Sequence, residues 1–364
     1  MKHPLIYLLF ILPLFAYGQV KPGIEVLRDA NFELLKGKRV GLITNPTGVD
    51  RNLKSTVDIL FEAEGVNLVA LYGPEHGVRG DIPAGEKVEN QVDAKTGLKV
   101  HSLYGKTRKP TPEMLQGVDV LVYDIQDIGC RSYTFISTMG LVMNAAKEQN
   151  KEVVILDRPN PLGGEKVEGS GVSQGYFSFV SQFDIPYIYG LTCGELANYL
   201  NQEIGCKLTV VPMQGWKRHM RFEDTGLPWV PTSPQIPSVE AAICYPATGI
   251  IGEMGFLNIG VGYTLPFQVM AASWVKSVEL TEALNAKQLP GVVFRPILYK
   301  PLFGSMQGQT VQGVQIFITD YNLARLSEIQ FHVIEVMHQL YPSHMLFSPE
   351  TEKRNNMFDK VCGT

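Results

Sequence analysis

Short, nearly continuous apolar runs separated by segments of helical spacing dominate the first two thirds of the chain. Residues 39–44, 66–72, 119–123 and 152–156 are such runs, and a fifth lies at 208–211. Between them, apolar positions recur every three or four residues over about 54–63, 133–147 and 193–202. A strand that is apolar along its whole length has both faces buried, and an intervening helix returns the chain for parallel pairing. The pattern predicts an α/β fold built on a doubly wound, Rossmann-like parallel sheet.

From 215 to 265 the periodicity lapses into a stretch rich in Pro, Gly and aromatic residues, including Trp216, Trp229, Glu253 and Tyr263. This predicts a long ordered loop region of functional character. Beyond it the spacing predicts helices at 266–274 and 281–285, strands at 292–298 and 310–319, and a helix at 323–340. That last helix places Leu326, Ile329, Val333, Val336 and Leu340 on one face. The expected organisation is a leader at 1–18, a Rossmann-like domain at 19–265 and a smaller α+β domain at 266–364.

The leader has the marks of a secretory signal: Lys2, an apolar stretch of about a dozen residues, then Ala16-Tyr17-Gly18 before Gln19. The apolar stretch is shorter than the roughly twenty residues a membrane span needs, and Pro13 interrupts it. The expectation is an exported protein, periplasmic or secreted, with no stable membrane insertion after cleavage.

Composition narrows the function. With 364 residues, 45% of them hydrophobic, the chain can bury a large core, which excludes a disordered tail or a small disulfide scaffold. Its 32 basic and 36 acidic residues carry no block of one sign, so nothing points to nucleic acid or to an acidic membrane surface. The five cysteines show no C-x-x-C or zinc-ligand spacing and are expected to be free, buried thiols. Oligomeric state is left open.

In an open parallel sheet, ligands bind outside the carboxyl ends of the strands. Here the first four strands lead into Thr44-Asn45-Pro46-Thr47-Gly48, Gly73-Pro74-Glu75-His76-Gly77-Val78-Arg79-Gly80, Asp124-Ile125-Gln126-Asp127-Ile128-Gly129 and Asp157-Arg158-Pro159-Asn160-Pro161. No G-x-G-x-x-G follows the first strand, and neither a phosphate-binding P-loop nor a G-x-S-x-G nucleophile elbow occurs. Metal ligation by Asp124, Asp127, His76, Glu75 and Asp157 lacks a paired-histidine spacing. Acid–base work by carboxylates remains, as in glycoside hydrolysis. Glu75, in a Gly- and Pro-flanked loop, is the candidate general acid, with Asp124 or Asp127 as the second carboxylate. No cofactor is called for.

The same segments resemble the family of exo-β-N-acetylmuramidases called NamZ. The resemblance rests on Gly73-Pro-Glu-His-Gly-Val-Arg-Gly80, Ser102-Leu-Tyr-Gly105, Tyr123-Asp-Ile-Gln-Asp-Ile-Gly129, Arg131-Ser-Tyr-Thr134, Asp157-Arg-Pro-Asn-Pro161 and Tyr189-Gly-Leu-Thr-Cys-Gly-Glu-Leu-Ala197. It covers nearly the whole mature chain. It implies a secreted enzyme that removes terminal N-acetylmuramic acid from peptidoglycan-derived saccharides in a cleft between two domains. Asn45, His76, Arg79, Gln126, Arg131, Tyr133, Arg158, Asn160 and Glu253 are the candidates for holding substrate. The chain departs from the family pattern at Val261, where an arginine is usual, at Gln235, where asparagine is usual, and in ending at Thr364, beyond which relatives continue by a helical segment. The alternatives are a sugar-binding protein without catalysis and a metal-dependent cell-wall hydrolase.

Overall fold

The structure, a computed structural model, describes residues 20–80, 91–344, 346–347 and 352–364. The expected leader at 1–18 lies outside them. In chain order the elements are α1 (Gly23–Asp29), β1 (Arg39–Thr44), α2 (Thr56–Glu62), β2 (Asn67–Gly73), β3 (Gln91–Val92), β4 (Lys99–Ser102), β5 (Val120–Asp124), α3 (Phe135–Glu148) and β6 (Glu152–Leu156). They continue with α4 (Cys193–Ile204), β7 (Lys207–Val211), α5 (Val239–Glu253), β8 (Val269–Ala272), α6 (Ser277–Ala286), β9 (Val292–Tyr299), β10 (Val311–Ile318), α7 (Leu326–Leu340) and α8 (Glu352–Cys362).

Seven strands form one sheet in the order β3-β4-β2-β1-β5-β6-β7, all parallel except the short edge strand β3. Strands β1, β2, β4, β5 and β6 are largely buried because both faces are covered. On one side α3 and α4 contribute Met139, Met143 and Leu196, and on the other α1 and α2 contribute Ile24 and Leu60. The chain winds outward from β1 in one direction through β2 and in the other through β5, so the crevice between β1 and β5 is the switch point. Register aligns Thr44 with Asp124 there.

The second layer is a three-stranded antiparallel sheet, β8-β10-β9, packed with α5, α6 and α7. Two local expectations fail. The segment 266–274 forms the strand β8, not a helix, and the loop predicted over 215–265 contains the fifteen-residue helix α5. The apolar side of α5 (Ala242, Ile243, Ala247, Ile250, Ile251) shares one core with Ile329, Val333 and Val336 of α7. That core reaches Ile128, Cys130 and Ile188 of the large-sheet domain, so the two layers meet without an aqueous gap at that point. All five cysteines are unpaired, four of them buried.

Candidate active site

The loop after β2 carries the first carboxylate. Pro74 C=O accepts the Gly77 N–H at 2.9 Å, which closes a tight turn with Glu75 and His76 at its centre. His76 is buried and sits at φ 71°, a left-handed conformation that costs a non-glycine residue on the order of 1 kcal/mol or more. Such strain persists only where the surroundings enforce it, and here it fixes the direction of Glu75. The half-buried Glu75 carboxylate accepts the Thr134 hydroxyl at 2.8 Å, just ahead of the first turn of α3. Tyr104, beyond β4, approaches from the other side. Burial holds its hydroxyl above the usual range, and both the charge of Glu75 and a hydrogen bond to it act in the same direction.

The second carboxylate is Glu253, the last residue of α5. That helix begins at a Ser238 cap, whose hydroxyl accepts the Ala241 N–H, and it runs through Pro246. Proline inside a helix lacks an N–H and pushes on the preceding turn. The side chain of Gln330, fully buried on α7, braces the turn that follows the proline. Its Nε2 donates to Pro246 C=O at 2.7 Å, and its Oε1 accepts the N–H of Ile250 at 3.1 Å and of Ile251 at 3.3 Å. The helix is thereby carried on to Glu253. Solvent reaches Glu253, yet protein surrounds it closely enough that desolvation pushes its carboxyl above the usual range, and the negative charge of Glu75 adds to this. A helix carboxyl end also disfavours a negative charge. Glu75 and Glu253 thus form a like-charged pair with unequal surroundings.

Most other sequence candidates do structural work. Asp124, with no exposed surface, accepts two bonds from Arg158, at 2.5 and 3.0 Å, and one from the Thr56 hydroxyl. Arg158 also donates to Val49 C=O at 2.8 Å. Asp124 is therefore not open to a substrate, and neither is Arg158. Asp127 is buried, accepting Tyr189 Oη–H at 2.5 Å and Gly129 N–H at 2.8 Å, and burial pushes its carboxyl up to about 6. Gln126 donates to Asp127 C=O and Pro159 C=O, and Asn160 bridges Leu162 N–H and Leu191 C=O. Asn45 Oδ1 accepts from Thr47, whose hydroxyl in turn accepts the Gln126 N–H. Arg79 is forked onto Asp93.

Arg131 is the largest correction. Only 1% exposed, it donates to the carbonyls of Ser170, Ile185, Val361 and Cys362, at 2.6, 2.6, 3.1 and 2.6 Å. It fastens the carboxyl end of α8 to the large-sheet domain, where a cation meets the negative end of a helix. It holds no ligand. The residues that follow extend the clasp: Ser132 bonds Tyr187 and Tyr245, and Tyr133 donates to Thr232 at 2.9 Å. Thr134 reaches Glu75. The half-buried Tyr133 feels the charges of both Asp127 and Glu75 and stands in the wall between them.

The switch-point crevice is closed by these bonds. A Cβ on Gly48 would lie 2.1 Å from Thr44 Oγ1 and 2.9 Å from Asp124 C=O. The cavity left beside Thr47, Gln126 and Arg158 measures about 20 Å³, room for about one water. A larger polar cleft of about 1100 Å³ opens along the amino-terminal half of α5, lined by Lys166, Arg218, Arg221, Tyr321 and Arg325, and it contains none of the sequence candidates. Among the described residues no three His, Cys, Asp or Glu converge as a metal ion requires. Sequence reasoning overlooked Tyr104 and Thr134. Both lie in segments that carry the family resemblance, Ser102-Leu-Tyr-Gly105 and Arg131-Ser-Tyr-Thr134, and Tyr104 also had the same signal as Glu75, a polar residue just past a parallel strand.

Comparisons with known proteins show the family. Residues 40–240 match the family model for the amino-terminal part of the exo-β-N-acetylmuramidase NamZ, and residues 243–364 match that for its carboxyl-terminal part. The chain is 48% identical over 347 residues to the peptidoglycan β-N-acetylmuramidase NamZ of Bacillus subtilis (strain 168), covering 95% of this chain and 82% of that protein. Two crystal structures of DUF1343 family proteins from Bacteroides fragilis superpose on it. One is 58% identical with a TM-score of 0.90, covering 95% of this chain and 89% of that one. The other is 29% identical with a TM-score of 0.71, covering 95% and 88%. With both of its parts matched, the chain belongs to the exo-β-N-acetylmuramidase NamZ family.

Proposed function

We propose that this glycosidase removes a terminal N-acetylmuramic acid from peptidoglycan-derived saccharides with Glu253 as general acid and Glu75 as the ionised partner. The observation that carries the assignment is the unequal pair itself. Glu75 accepts hydrogen bonds from the hydroxyls of Thr134 and Tyr104. Glu253 is held above the usual range by desolvation and by the charge of Glu75, which favours the protonated acid. A carboxyl raised in this way beside a second carboxyl is the arrangement that cleavage of a glycosidic bond uses. As the bond between the anomeric carbon and the bridging oxygen breaks, the Glu253 proton passes to that oxygen. Glu75 stabilises the positive charge left on the sugar and takes up the proton of the water that replaces the leaving group. This departs from the expectation from the sequence, where Glu75 was the acid, Asp124 or Asp127 the second carboxylate and Glu253 a substrate-holding candidate.

Glu253→Gln and Glu75→Gln are each expected to lower kcat on a muramic-acid-terminated disaccharide by roughly 10²–10⁴-fold. A 4-nitrophenyl β-N-acetylmuraminide separates them, because nitrophenolate leaves with little help from an acid. Glu253→Gln is expected to lose far less on that substrate than on the disaccharide, and Glu75→Gln to lose similarly on both. Equal losses for Glu253→Gln on the two substrates would overturn the assignment of the acid. We also infer export, supported by the leader-like composition of residues 1–18. Amino-terminal sequencing of the protein from its native compartment should begin at Gln19, and a retained Met1 would argue against export.

A further inference from the structure

The substrate brings a charge that the two glutamates do nothing to accommodate. N-acetylmuramic acid carries a lactyl ether that ends in a carboxylate, and Glu75 would repel it. A cation is therefore required within reach of the sugar, but outside the carboxylate pair. Three arginines already discussed are spent: Arg158 on Asp124, Arg131 on four carbonyls and Arg79 on Asp93.

Arg108 is differently placed. It is exposed, and its guanidinium lies 4.2 Å from the centre of the Phe179 ring. Phe179 in turn packs against Tyr104, centroids 6.3 Å apart. The Tyr104 hydroxyl feels Glu75, Arg108 and Glu253, in that order, so all three charges gather around one phenol. The platform is fixed from the same helix that orients the carboxylate. Ser137, in the first turn of α3, donates to Phe179 C=O at 2.7 Å, three residues after Thr134 donates to Glu75. A guanidinium stacked on a ring keeps its in-plane N–H groups free to fork around a carboxylate, and stacking limits the rotamer entropy lost on binding.

Resting on the reading of Glu75 and Glu253 above, we propose that Arg108 is the specificity-determining residue that receives the lactyl carboxylate of the terminal N-acetylmuramic acid, with Phe179 as its platform. The contact is made equally in the ground state and the transition state, so its loss raises KM and leaves kcat nearly unchanged.

The test compares the 4-nitrophenyl β-N-acetylmuraminide with its lactyl methyl ester, which has the same sugar without the charge. The unaltered protein is expected to favour the acid by about tenfold in kcat/KM, the scale of one partly exposed charge-assisted contact. Arg108→Ala should raise KM for the acid about tenfold, leave the ester unaffected and abolish the preference. Arg108→Lys, which keeps the charge but not the planar fork, should retain part of it. Lys106→Ala, on the same exposed loop, should keep the full preference. An Arg108→Ala protein with the unaltered acid-to-ester ratio would overturn the proposal, as would a lost ratio in Lys106→Ala. Failure of the unaltered protein to cleave either substrate would instead remove the parent reading and this one with it.

Discussion

The loops that follow β2 and β5 carry the same kind of sequence, acids among glycine and polar residues at the carboxyl end of a parallel strand, and the fold puts them to opposite uses. After β5, Asp124 is sealed from solvent and matched atom for atom by Arg158 and Thr56. Asp127 is buried with Tyr189, and Arg131 is buried among carbonyls. After β2, Glu75 is half-buried on a strained turn, with hydroxyls for neighbours and a second carboxyl nearby. A buried acid with a bidentate cation partner stabilises the fold once formed but has nothing left to give a substrate. An acid facing another acid stores electrostatic tension that only a proton or a positively charged transition state relieves. The proposed chemistry is therefore placed at the Glu75–Glu253 pair, away from the switch point where an open α/β sheet would usually hold its ligand.

Crossed substitutions give the strongest test of that contrast. Glu253→Gln is expected to cost two to four powers of ten in kcat, roughly 3–5 kcal/mol of transition-state stabilisation, with little change in Tm. Asp124→Asn should do the reverse. It leaves the Arg158 charge buried without its partner, a loss of about 3–5 kcal/mol in unfolding free energy, while activity per folded molecule stays near that of the unaltered protein. Urea unfolding and active-site-normalised kinetics read the two quantities separately. An Asp124→Asn protein of normal stability and lost kcat would erase the distinction between the loops.

The contrast also explains what was legible in the sequence. The parallel strands were legible because an element buried on both faces must be apolar throughout, as Val120–Tyr123 and Val153–Leu156 are. Helix α5 was not. Pro246, Gly249 and Gly252 interrupt its pattern, and the amide that braces it comes from Gln330, about eighty residues later. Residues 266–274 misled in another way, since a proline followed by a short apolar run suits a helix start as well as a strand. At the site, the Gly-Pro setting of Glu75 was legible. The satisfaction of Asp124 was not, because nothing local signals that an arginine 34 residues on will reach back to it.

Gln330 therefore offers the next largest test. Gln330→Leu removes the side-chain bonds to Pro246 C=O and to the N–H groups of Ile250 and Ile251, at about 1–3 kcal/mol in all. Because Glu253 ends the helix so braced, kcat on the disaccharide should also fall, by about tenfold, with KM little changed. The loss should be smaller on the nitrophenyl substrate, which needs the acid less. A protein destabilised by the expected amount but with unaltered kcat on both substrates would show that Gln330 serves the core alone.

Asp127 gives the smallest effect and a sign that can be worked out. Burial raises its carboxyl to about 6 in the folded protein, against about 3.9 for an unfolded chain. Between those values the folded state keeps a proton that the unfolded state has released, so stability declines as pH rises from about 4 to about 6 and levels off above. Asp157, also pushed up to about 6 by burial, adds a second contribution of the same sign. Asp127→Asn cannot titrate, and its amide oxygen can still accept the Gly129 N–H. It should remove about half of the pH-dependent loss, on the order of 3 kcal/mol, visible as a shallower fall in Tm between pH 4 and 6. The pH profile of kcat should stay in place, since Glu253 sets it. A profile that moved with Asp127→Asn would bring the loop after β5 back into the chemistry and reverse the division drawn between the two loops.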